Sequence, residues 1–121
     1  MPIKSILIVE DSPTDCQYLT DILAKNGYEV LTAQTAEEAL AKVKQVKPDL
    51  VLMDVVLPGQ NGYQATRTLS KDEATKHIPV ILCTTKGQET DRVWGMRQGA
   101  RDYIVKPVSQ GDLLAKIAAL G

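Results

Sequence analysis

Apolar residues fall along the chain in five short runs, each followed by a stretch in which they recur at helical spacing. The runs are "SILIV" (5–9), "EVLTA" (29–33), "LVLM" (50–53), "VILC" (80–83) and "DYIV" (102–105). Three of them are almost continuously apolar, the signature of strands covered on both faces in a parallel sheet. The stretches between them carry helix signals. Ser12 followed by Pro13 supplies an N-cap and a proline at N1, and Gly27 stands where a C′ glycine belongs. Cys16, Leu19, Ile22 and Leu23 share one face of that helix. Thr35 with Glu38 forms a capping-box pair, and Ala39, Leu40, Val43 and Val46 follow on one face. A third helix is expected over 62–69 and a fourth over 89–98, stopping at Gly99. Ser109 with Asp112 opens a fifth, whose apolar face is Leu113, Leu114, Ile117 and Leu120. The polar stretch "SKDEATKH" (70–77) reads as an exposed loop with helical character.

Strand alternating with helix five times implies right-handed βαβ crossovers. The expected fold class is α/β, a doubly wound five-stranded parallel sheet with five helices. With 121 residues, the chain has the size of a single domain over 1–121, with no output domain attached.

Composition narrows the function classes. A net charge of −1 provides no overall footprint for nucleic acid or an anionic membrane. No apolar run has the length of a transmembrane helix or signal-peptide core, so a cytoplasmic protein is expected. Cys16 and Cys83 lack any paired spacing and read as reduced thiols. The single histidine, His77, excludes a site that needs two imidazoles.

In an open parallel sheet, ligands bind at the carboxyl ends of the strands. There the sequence places Glu10 and Asp11 after the first run, Asp54 after the third, Thr84 and Thr85 at the fourth, and Lys106 after the fifth. Acids after strands often simply cap the next helix, but three in one small site repel one another. A like-charge pair at about 4 Å costs roughly 4 kcal/mol at an effective dielectric near 20. A cation or protonation must relieve this, and all-oxygen donors suit Mg²⁺ rather than zinc. Such a site fits phosphoryl transfer onto Asp54, with Lys106 and Thr84 contacting phosphoryl oxygens.

Four segments carry a resemblance: "LIVEDSPT", "VLMDVVLPGQNG", "PVILCTT" and "GARDYIVKP". In order and spacing they resemble the receiver domain of two-component response regulators, the CheY-like family, over essentially the whole chain. The resemblance implies the flavodoxin-like strand order 2-1-3-4-5. It implies Mg²⁺, with Mn²⁺ as a substitute, held by Glu10, Asp11, Asp54 and the backbone carbonyl of Val56. Glu10 stands where many relatives carry Asp, and its extra methylene implies reaching the metal through water. The implied donor to Asp54 is the phosphohistidine of a histidine kinase, CheA-like, or of its phosphotransfer domain. Thr84 and Lys106 are the implied phosphoryl contacts, and the Lys106–Pro107 bond is implied to be cis.

The implied switch couples Thr84 to Tyr103, and the implied output surface includes Arg92, Trp94, Tyr103 and Ser109. For Tyr103 the alternative is packing at the sheet edge. For Trp94 it is packing on its own helix, with Gly95 making room for the indole. Val56 and Lys86 flank the approach of an attacking water, and an apolar Val56 cannot orient it, so a long-lived phosphorylated form is expected. "TTKGQETDRVWGMRQGARDYIVKP" and "GYQATR" most resemble stand-alone regulators of type IV pilus twitching motility.

The resulting expectation is a signalling switch, a monomer with a weak dimer as alternative, acting on an unidentified downstream protein. It has no direct contact with nucleic acid or membrane and catalyses only its own phosphorylation and autodephosphorylation. The alternatives are a receiver cut from a larger DNA-binding or enzymatic regulator, or a phosphate sink for a CheA-like kinase. An aspartate-nucleophile phosphatase would want a second acid where Val56 stands. A nucleotide-binding domain would want glycines where "VEDSPT" has acids.

Overall fold

A computed structural model describes residues 2–121. In chain order the elements are β1 (Ser5–Val9), α1 (Pro13–Lys25), β2 (Glu29–Ala33), α2 (Ala36–Val46) and β3 (Leu50–Met53). There follow α3 (Gly62–Lys71), β4 (Val80–Thr84), α4 (Glu89–Arg97), β5 (Asp102–Val105) and α5 (Gln110–Leu120). All strands run parallel in the order β2-β1-β3-β4-β5, as expected.

The continuous apolar runs are explained by two core layers. On one face Leu7, Val9, Val51, Met53 and Leu82 pack with Ala36, Ala39 and Val43 of α2 and Ala65 and Leu69 of α3. On the other, Ile6, Ile8, Leu50, Leu52, Ile81 and Cys83 meet Leu19 and Leu23 of α1 and Leu113 and Ile117 of α5. A strand buried on both faces has no use for alternating polar residues. Burial pushes the Cys83 thiol up to about 12, leaving it protonated and inert.

Most helix signals act as read, with informative differences. Ser12 Oγ accepts the N–H of Asp15 at 3.3 Å, and Gly27 takes φ +89° behind α1. Thr35 Oγ1 accepts from Glu38 N at 3.1 Å, but the Glu38 carboxylate takes the N–H of Gln34 at 2.9 Å rather than that of Thr35. The box is therefore half-formed. α3 runs two residues beyond the expected end and β4 includes Thr84, because backbone ladders continue where side-chain patterns fade. The polar stretch after α3 is pinned rather than free: Thr75 is buried and its hydroxyl donates to the carbonyl of Leu69 at 2.8 Å.

Gly95 is closely approached by other elements. A Cβ there would lie 2.6 Å from Leu82 Cδ1 and 3.2 Å from two ring carbons of Tyr103. Tyr103 and Leu82 therefore pack directly against the space that Gly95 leaves. Trp94 itself is 49% exposed, half covered by the protein and half open to solvent.

Candidate functional site

The site is assembled by backbone bonds that continue each strand pairing past its end. Glu10 N donates to Ala33 O at 2.9 Å, Asp54 N to Val9 O at 3.0 Å and Lys106 N to Thr84 O at 2.9 Å. Residues far apart in sequence are thereby held level at one sheet edge. Glu10 and Asp54 are buried there, while Asp11 is exposed to solvent.

One carboxylate oxygen each from Glu10, Asp11 and Asp54 lies within 4.8 Å of the others. Hard oxygen donors open to water on one side fit Mg²⁺, which keeps part of its hydration shell. Burial pushes the Glu10 carboxyl up to about 7, against the lowering effect of Lys106 and of the Ser12 N–H, which donates to Glu10 Oε2 at 3.1 Å. A buried acid so reluctant to ionise marks a place where positive charge is in short supply.

Lys106, which follows β5 and precedes a cis bond to Pro107, supplies part of that charge. Its ammonium hydrogen-bonds to Glu10, to Asp15 Oδ2 at 2.9 Å and to Asp54 Oδ2 at 3.2 Å. Burial opposes the charge, but the bonds to Glu10 and Asp15 and the fields of Asp54 and Glu10 outweigh it, so the ammonium is held more firmly protonated than usual. Asp15 was not singled out from sequence. An acid in the first turn of a helix ordinarily just complements the helix dipole, and only the docking of α1 beside the end of β5 brings it to the lysine.

Gly62 is the second residue whose role was hidden, since in sequence it marked only the start of a helix. A Cβ there would lie 2.0 Å from the carbonyl oxygen of Asp54, and Gly62 N donates to Val55 O at 2.9 Å. Asn61 caps the helix, its Oδ1 accepting from Gln64 N while Gln64 Oε1 accepts from Asn61 N, both at 3.0 Å. The start of α3 is thus pressed onto the backbone of Asp54. Val56 N donates to Asp54 Oδ1 at 3.2 Å, and the Val56 side chain is 55% exposed.

Thr84 and Tyr103 meet at one residue, Lys86. Thr84, fully buried, accepts the Lys86 N–H on Oγ1 at 3.4 Å. The Tyr103 hydroxyl donates to the Lys86 carbonyl at 2.7 Å and lies 3.5 Å from the Tyr63 hydroxyl. Tyr63 in turn donates to Asp91 O at 3.1 Å, on α4. Tyr103 is buried, so in this structure it is not part of the exposed output surface expected of it. The reason is the cavity that Gly95 leaves over Leu82. Arg92 and Ser109 are exposed; Arg92 Nε lies 3.9 Å from Glu89, and Ser109 caps α5 by accepting from Asp112 N at 3.4 Å. Val93 and Val105 are also exposed. Among the described residues, no helix is long and apolar enough to cross a membrane.

Known proteins resemble this chain in sequence and in fold. The pattern of the response regulator receiver domain matches residues 6–118. Protein PilH of Pseudomonas aeruginosa is 57% identical over 115 residues, covering 95% of each chain. The phosphate regulon transcriptional regulatory protein PhoB of the same organism is 41% identical over 97% of this chain, which spans only 51% of PhoB. Among solved structures, chemotaxis protein CheY4 of Vibrio cholerae superposes with a TM-score of 0.91 at 28% identity, covering 98% of this chain and 99% of CheY4.

Proposed function

Since the chain belongs to the response regulator receiver domain family, we propose that it is a phosphorylation-controlled switch with Asp54 as phosphoacceptor. The observation that carries this reading is the Lys106 ammonium, 3.2 Å from Asp54 Oδ2 and inside the same group of acids. A nucleophilic carboxylate, an oxygen donor set for a divalent ion and a fixed cation share one sheet edge.

The donor is the phosphohistidine of a histidine kinase. As the bond from an Asp54 carboxylate oxygen to phosphorus forms, the donor's P–N bond breaks and the imidazole leaves with the electron pair. Glu10, Asp11, Asp54 and the Val56 carbonyl would hold Mg²⁺, or Mn²⁺, which when bound would supply positive charge against the repulsion between this carboxylate and the phosphoryl oxygens. Lys106 takes one phosphoryl oxygen. Thr84 turns its hydroxyl from accepting the Lys86 N–H to donating to another. Because Tyr103 holds the carbonyl of that same Lys86, the shift passes to the β4–α4 segment and the face bearing Arg92, Trp94 and Ser109. Phosphorylation thus biases two pre-existing populations.

The likeness to PilH supports a single receiver domain over 1–121, serving type IV pilus twitching motility under a CheA-like kinase. The exposed Val93 and Trp94 favour a protein target over a mere phosphate sink.

The test is incubation with acetyl phosphate and Mg²⁺ followed by intact mass measurement. An adduct of about 80 Da, as phosphorylation requires, should appear in the wild type and vanish in Asp54→Asn and with a chelator. An adduct that persists in Asp54→Asn overturns the assignment.

A further inference from the structure

Building on the receiver reading, we propose that Asp15 is a positioning residue that competes with the phosphoryl group for Lys106 and so restrains phosphorylation of Asp54. An ammonium has three N–H donors, and those of Lys106 are all engaged, by Glu10, Asp15 and Asp54. A phosphoryl oxygen arriving on Asp54 is a further acceptor, so one carboxylate must let go.

Which one yields follows from burial. The Glu10 and Asp54 side chains are 2% and 9% exposed, and a buried carboxylate stripped of its cation is strongly disfavoured. Both also belong to the oxygen set that a divalent cation would compensate, and Asp15 does not. The Asp15 side chain is 46% exposed and can turn into water at little cost. Its position on the first turn of α1, with its own N–H on Ser12 Oγ, keeps it beside the lysine in the resting protein. Asp15 therefore holds Lys106 ready but must be displaced at each phosphorylation. Its negative charge also opposes the incoming group through space.

Two variants test this. Asp15→Asn keeps the size and removes the charge, while Asp15→Glu keeps the charge. With acetyl phosphate and Mg²⁺, the initial labelling rate of Asp15→Asn should rise about three-fold, the size of a partly exposed ion pair. Asp15→Glu should stay near the wild-type rate, and the gain in Asp15→Asn should shrink at high salt, where screening weakens exposed charges. In the metal-free, unphosphorylated protein, hydrogen exchange of the Lys106 ammonium, followed by NMR, should quicken in Asp15→Asn. Labelling of Asp15→Asn at or below the wild-type rate, or a gain that ignores salt, overturns the inference while leaving the receiver reading intact. No labelling of the wild type removes both.

Discussion

Replacing Lys106 with methionine removes the cation that contacts Glu10, Asp15 and Asp54 while keeping much of the side chain's length. The partners are well shielded: the Lys106 side chain is 11% exposed, that of Glu10 2% and that of Asp54 9%. Breaking a buried ion pair from one side costs about 3–5 kcal/mol, because the remaining charge stays uncompensated. The site lies at the rim of the sheet with Asp11 open to solvent, so the lower end applies, about 3 kcal/mol near pH 8. For a chain of 121 residues this lowers Tm by about 10 °C.

The loss must depend on pH. Glu10 has a folded pKa of about 7 against an ordinary 4.5, so the folded state binds the proton more tightly. Its contribution is most favourable below 4.5 and is lost as pH rises through about 7. Without Lys106 the carboxyl is pushed further in the same direction. Lys106→Met should therefore cost less near pH 4.5, where the contacts to Asp15 and Asp54 are lost but Glu10 is neutral, and show its full deficit near pH 8. Mg²⁺ should restore much of the loss at the higher pH by replacing the missing positive charge. Urea unfolding followed by far-UV circular dichroism, at both pH values with and without Mg²⁺, measures this directly. A deficit equal under all four conditions would refute the charge-compensation account of the site.

Gly62→Ala should destabilise by about 3 kcal/mol, the upper part of the usual overpacking range, because its Cβ would stand 2.0 Å from a backbone oxygen of Asp54. A thermal midpoint equal to wild type would contradict that close approach. Gly95→Ala should cost about 1–3 kcal/mol and turn Tyr103 out of its cavity, seen as shifted ring resonances; unchanged ring signals would refute the assigned contact. Tyr103→Phe should speed hydrogen exchange at backbone amides of the β4–α4 segment by freeing the Lys86 carbonyl, and unaltered exchange there would break the proposed link from Thr84 to α4. Val56→Asn should accelerate autodephosphorylation by giving the attacking water a polar partner; an unchanged rate refutes the idea that the exposed valine prolongs the phosphorylated state.

What the sequence determined by itself is everything written in local pattern. Continuous apolar runs demanded strands buried on both sides, and caps such as Ser12 and Thr35 fixed where helices begin. Because ligands of a parallel sheet gather at its carboxyl edge, Glu10, Asp11, Asp54, Thr84 and Lys106 were legible as a group before any geometry was known. Only the tertiary structure decided what depends on an approach from another element. Asp15 reaches a lysine 91 positions away, so nothing in its own neighbourhood announces it. In the sequence Gly62 marked only a helix start and Gly95 only room for a neighbouring indole; the approach of the Asp54 backbone and the Tyr103 ring is visible only in the fold. Trp94 fits a packed or an exposed position equally well by spacing, and the fold leaves it half exposed on α4. Spacing along a chain fixes which face a residue occupies, whereas what meets that face is set by the packing of elements distant in sequence.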